Sequence, residues 1–127
     1  MNVKTFSITC VIAALVSIPA TGHHSHAMFD DQQTVIMEGT VVALEWTNPH
    51  SWLQVNVENE SGEMVEWSLE MGAPTNLARN GWRPRMLVEG DPVTVTIHPL
   101  RDGNPGGELL AVIFPDGSQM GDDEYIN

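Results

Sequence analysis

The chain has 127 residues, with five lysines and arginines against 17 acids and a formal charge of −12 with neutral histidines. Such an excess repels phosphates and anionic lipid surfaces, so nucleic acid and acidic membranes are poor partners, while cations are attracted in general. With Cys10 as its one cysteine, the chain can form no internal disulfide.

The N-terminus comes first. Lys4 precedes the apolar run FSITCVIAALVSI, and Pro19, Ala20, Thr21 and Gly22 follow it. A basic residue, a short apolar stretch and small residues in that order predict a secretory signal over residues 1–22, and so a periplasmic or secreted protein. The run is too short to cross a bilayer, which takes about 20 apolar residues. Cleavage is expected after Gly22, with Ala20 and Gly22 as the flanking small residues; a cut after Ala20 is the alternative. Cys10 precedes most of the apolar run, where a lipid-modified cysteine would follow it. What remains is one small domain of roughly 105 residues, without a membrane-spanning segment.

Residues 23–33 form a histidine-rich lead-in ending in MFDDQQ. The domain proper is expected over 34–115. TVIMEGTVVALEW (34–46) is rich in β-branched residues and too long for a flat strand, and Gly39 inside it predicts a bulge or sharp bend. TNPH (47–50) is a turn. WLQVNVE (52–58) alternates, with Leu53, Val55 and Val57 on one face and Trp52, Gln54, Asn56 and Glu58 on the other. NESGE (59–63) is a hairpin loop. MVEWSLE (64–70) turns Val65, Trp67 and Leu69 inward, leaving Glu66 and Glu70 on a solvated face. Period-two alternation of this kind marks half-buried strands.

The pattern then changes. GAPTNLARNGW (72–82) offers Pro74 at a first helical position and Gly81 just past a helix end, which predicts a short helix near 74–80. VTVTIH (93–98) is a fourth strand with Val93, Val95 and Ile97 inward. PLRDGNPGG (99–107) joins two strands, so its glycines read as turn chemistry and not as a phosphate loop. ELLAVIF (108–114) is a fifth strand, and 116–127 is an acidic tail expected to be flexible. The order β-β-β-α-β-β predicts an all-β fold, a five-stranded OB-fold-like Greek-key barrel whose bent first strand serves both halves. Another small open barrel or a sandwich is the alternative.

The segments HHS…MFD, EGTV…EWTNPHSWL, VEWSLEMGAP, RNGWRP, GDPVTVTIHPLRDGNPGG and FPDG resemble the bacterial family called domain of unknown function 6152. The resemblance covers nearly all of the chain after the leader, and EWTNPH and IHPLRDG are its most specific parts. It implies a small, exported protein and brings no activity with it.

Histidines are the residues richest in chemistry. If cleavage falls after Gly22, His23 supplies a free amine and a ring that chelate together, and His24 or His26 adds a second imidazole. If it falls after Ala20, Thr-Gly-His supplies an amine, two amides and His23. Both nitrogen sets suit Cu(II). The plainer reading is a polar leader with incidental metal affinity. His50 lies in the loop between strands one and two, and His98 at the start of the loop between strands four and five. In an OB-fold those loops flank one ligand face, so the two rings form either part of a joint metal site or two loop caps. Trp52, Asn48 and Arg101 are further candidates on that face. Trp67 reads as core, and Trp82 as packing the helix end onto the barrel.

No serine sits in a nucleophile elbow, and no substrate is specified, so an enzyme is the weaker reading. The sequence thus predicts an exported binding module that takes copper through His23, His24, His26, His50 and His98. The alternative is a module for a periplasmic protein or small ligand in which the histidines are incidental.

Overall fold

The computed structural model describes residues 26–127. The signal segment, His23, His24 and both expected cleavage points lie outside the described residues. A single 3-10 turn, His26–Met28, leads into six strands and one helix: β1 (Val35–Glu45), β2 (Trp52–Glu58), β3 (Met64–Glu70), α1 (Pro74–Arg79), β4 (Pro92–Pro99), β5 (Gly106–Ile113) and β6 (Gln119–Gly121).

The first strand serves two neighbours. Val35–Thr40 pairs antiparallel with β4, and Thr40–Glu45 pairs antiparallel with β2. The expected bulge at Gly39 is displaced. The register slips between Val41 and Ala43, and Gly39 answers a different need. A Cβ there would stand 2.5 Å from the Asn56 carbonyl oxygen and 2.5 Å from Val55 Cγ1. Glycine lets β1 pass close over β2 where the strand changes partner.

The hairpin of β2 and β3 runs from Trp52↔Glu70 to Glu58↔Met64 without a slip. A short parallel pairing of β3 with β5 (Ser68↔Gly106, Leu69↔Gly107, Glu70↔Glu108) then closes a five-stranded barrel in the order β1-β2-β3-β5-β4. This is the β-β-β-α-β-β Greek-key barrel expected from the sequence. Its interior holds Val41, Leu53, Val55, Leu69, Val95, Ile97 and Val112, all at 1% exposure or less. Each such side chain contributes about 1.5–3 kcal/mol by leaving water.

Helix α1 begins at Pro74 and buries Leu77. Trp82 follows it, buried at a centroid distance of 5.7 Å from Phe114, and so seats the helix end on the barrel. No helix among the described residues is long and apolar enough to cross a membrane.

The expected tail, 116–127, carries a further short strand. Residues 119–121 pair with Ala111–Ile113 as β6, and Asp122 N–H donates to the Leu110 carbonyl at 2.9 Å. β5 thus divides one edge between two partners: its first half closes the barrel on β3, and its second half carries the tail.

Candidate functional site

The register places five side chains in one row across the outer face of the barrel. Glu45 is the Cα partner of Trp52, Trp52 of Glu70, Glu70 of Glu108, and Glu108 of His98. Opposed residues share a face, so Trp52 and His98, both picked out by the sequence, flank two glutamates that meet across the barrel closure.

Glu70 reverses an expectation. Alternation puts it outside the barrel, yet it is buried, with its side chain only 9% exposed. The loop between β1 and β2 covers it. Ser51 N–H donates to the Gly72 carbonyl, and Met71 N–H donates back to the Ser51 carbonyl, which ties this loop to the end of β3. His50 is thereby set beside Glu70, and its Nδ1 meets Glu70 Oε1. The other carboxylate oxygen, Oε2, is buried with no hydrogen-bond partner among the described residues. Glu66, on the same phase of β3, is exposed as expected.

Glu108 gathers two further histidines. Its Oε2 lies 3.5 Å from His98 Nδ1, and its Oε1 lies 3.3 Å from His26 Nδ1. The His98 ring is mostly covered, with the Tyr125 ring edge-on at 6.1 Å and its hydroxyl 3.5 Å from Nε2. His98, near the end of β4 rather than in the loop after it, is therefore held between β5 and the tail.

Arg101 is engaged with the lead-in. Its guanidinium donates to the Ala27 carbonyl at 3.1 Å and reaches Asp30 at 3.4 Å and Asp31 at 3.1 Å. Phe29 bridges to Leu100 alongside, with Asp30 N–H on the Pro99 carbonyl. Together these contacts fasten the lead-in over the β4–β5 loop and hold His26 at Glu108. Asn48 is exposed, and Trp52 is half-buried.

These elements surround a cavity of about 680 Å³. His26, His50, Glu70 and Glu108 line one part of it. Helix α1 supplies Asn76, Leu77 and Asn80, and the tail supplies Gln119, Met120, Asp122 and Asp123. Trp52, Asn48, His98 and Arg101 do not line it. Among the described residues, no three histidine, cysteine, aspartate or glutamate side chains converge so as to hold a metal ion. His50 and His98 are brought to the same region but are held by different glutamates.

A family model described as a family of unknown function, DUF6152, matches residues 11–109. The chain belongs to this family. The matched span includes His26, His50, Glu70, His98 and Glu108, and ends before β6 and Tyr125. No curated protein and no solved structure matches the chain.

Sequence reasoning passed over Glu108 and set Glu70 aside. A signal for Glu70 was nevertheless present: the β2–β3 hairpin is symmetrical about its loop, which sets Glu70 directly across from Trp52. Nothing in the local sequence announces Glu108, because its partners come from β3, β4 and the lead-in.

Proposed function

We propose that this protein is an exported binding module that holds a small ligand in the cavity beside the β3–β5 closure. One observation carries the reading. Glu70 is a buried carboxylate on the wall of a cavity of small-molecule size, with one oxygen met by His50 and the other unpartnered. Cavities of several hundred Å³ with a few placed polar groups are the usual form of such sites. The N-terminal residue pattern supports export, and processing after Gly22 makes His23 the first residue of the working protein.

The test combines intact mass with a fragment screen. The exported protein should have the mass of a chain beginning at His23, or at Thr21. Methyl-labelled methionine should then report binding, because Met71 and Met120 line the cavity while Met37 and Met64 line a groove elsewhere. Recovery of the protein with residues 1–22 attached would refute export. A diverse fragment library that moves neither Met71 nor Met120 would refute the binding module.

A second reading has its own support. Arg101 holds the lead-in so that His26 reaches Glu108. In the processed chain an amino-terminal chelate of His23 with His24 or His26 would take Cu(II). An added N-terminal methionine breaks that chelate ring while leaving every side chain in place. Copper affinity should therefore drop on such an extension, and equal affinity for both termini would dismiss the chelate. Binding should also weaken in acid, because the ligands must shed protons first.

A further inference from the structure

The charged side chains around the cavity are unusual in their sign. Glu70, Glu108, Asp122 and Asp123 line it, together with His26 and His50, and among the described residues no lysine or arginine does. An anionic ligand would meet repulsion from every side. The buried Glu70 Oε2 narrows the choice further. An ionised carboxylate oxygen accepts hydrogen bonds and donates none, so what this atom lacks is a donor.

The rest of the wall separates two kinds of cation. Met71, Leu77, Trp82, Leu109 and Met120 give it a large apolar part. A bare metal ion gains nothing from such a surface, whereas a hydrocarbon body is drawn out of water by it. An inner-sphere metal also needs several converging ligands, and the described histidines and acids offer no such set. The volume, about 680 Å³, exceeds what an ion requires.

We infer that the cavity takes a small organic ammonium ion with an apolar body, its charged nitrogen held by Glu70 and Glu108. This rests on the binding-module reading above and adds the chemical class of the ligand. The two carboxylates are register partners on adjacent strands, so one N–H-rich head group can be shared between them. Charge-assisted N–H···O bonds of this kind are about twice as strong as neutral ones. The apolar residues and the tail then enclose the body. His50 keeps its place on Glu70 Oε1, and Oε2 is the Glu70 oxygen without a donor among the described residues.

Three probes of one shape test the class: 2-phenylethylammonium, 2-phenylethanol and 3-phenylpropionate. Each is titrated at neutral pH into the processed full-length protein, with the methionine methyl signals as readout. The ammonium should shift Met71 and Met120, leave Met37 and Met64 unmoved, and bind at least tenfold more tightly than the alcohol, with the carboxylate weakest. Glu70→Gln and Glu108→Gln should each lower the ammonium affinity about tenfold and leave the alcohol alone. Glu66→Gln, on the exposed part of the same strand face, should change neither. Glu108 is the more exposed of the two carboxylates, so its variant still decides the matter if Glu70→Gln does not fold. Equal binding of ammonium and alcohol would overturn the ligand class. So would charge preference that survives at both variants, or divalent copper excluding the ammonium from the same methyl groups. In each of those cases fragments still bind, and the module reading stands. Silence at Met71 and Met120 for all three probes and for the fragment library would bring both readings down.

Discussion

Glu70 and Glu108 face one another across the parallel closure of the barrel, at its last residue pair. Like charges on opposed strand positions disfavour the pairing. Here each carboxylate is met by imidazole: His50 on Glu70, and His98 with His26 on Glu108. Three separate segments, the lead-in, the β1–β2 loop and the end of β4, thus supply groups that make the closure tolerable. The stability of the closure consequently depends on this row.

Replacing His50 by alanine should expose that link. The change removes the ring that meets a carboxylate whose side chain is nine-tenths buried. A cost of about 1–3 kcal/mol is expected from the poorly satisfied acid. Adding Glu70→Gln should recover part of the loss, because the two residues act as a pair. Urea denaturation of the two single variants and the double variant measures the coupling. Strictly additive losses would show that His50 and Glu70 do not support one another.

Gly39→Ala should destabilise by about 1–3 kcal/mol, as overpacking does. The new methyl would press on the Asn56 carbonyl and Val55 Cγ1 at 2.5 Å, and the carbonyl is backbone that cannot swing aside. Gly72→Ala is the control, since its Cβ would sit 3.7 Å from Leu77 in ordinary contact. Matched thermal melts should separate the two; an equal, small change would mean that β1 does not depend on close passage at Gly39.

Arg101→Ala should leave global stability nearly untouched, because exposed ion pairs contribute about 0–1 kcal/mol. Its effect should be local. Without bonds to Ala27, Asp30 and Asp31, the lead-in loses its side-chain fastening. Faster amide exchange at Phe29, Asp30 and Arg101 itself is the expected signature, with β2 and β3 unaffected. Unchanged exchange would assign the fastening to the backbone contacts, the Phe29–Leu100 bridge and the Asp30–Pro99 bond among them.

Asp116 carries a pH effect at the β5–β6 turn. The Ser118 hydroxyl and then the Ser118 N–H, at 2.6 and 2.9 Å, hold its carboxyl below the usual carboxylate range. A lowered folded-state value means that the turn gains from the ionised form above the ordinary carboxylate range and loses that gain as pH falls through the lowered one. Ser118→Ala should move the Asp116 titration upward, followed by carboxyl carbon NMR. An unmoved midpoint would show that Ser118 is not its cause.

Much of this fold could be read residue by residue. β2 and β3 have the ranges that alternation marks, because Leu53, Val55 and Leu69 fall on one phase and meet in the interior. The helix follows from Pro74 and Gly81. Gly39 shows where such reading stops: a glycine in a strand reports that a Cβ is unwelcome, without saying whether a bulge or a neighbouring strand forbids it. Glu70 shows a second limit. Period two tells which face of a strand a residue occupies, but not what covers that face, and here a loop, a helix and a tail cover it. Arg101 reaches Ala27 across 74 residues, a contact no local pattern contains. The three residues of β6 are too few to alternate, so they gave no signal at all.

The closure seam between β3 and β5 has three residue pairs, against seven along the β2–β3 hairpin. It also joins strands separated in the chain by α1 and β4, so it closes a long loop that the β2–β3 hairpin does not. A contact of that kind is expected to form late in folding and to open early in native-state fluctuations. The cavity lies directly against it. A ligand bridging Glu70 and Glu108 would then act as a stave clamp, raising the free energy of opening with the logarithm of its concentration over its Kd, and occupancy would be written into the exchange rates of Ser68, Leu69 and Gly107.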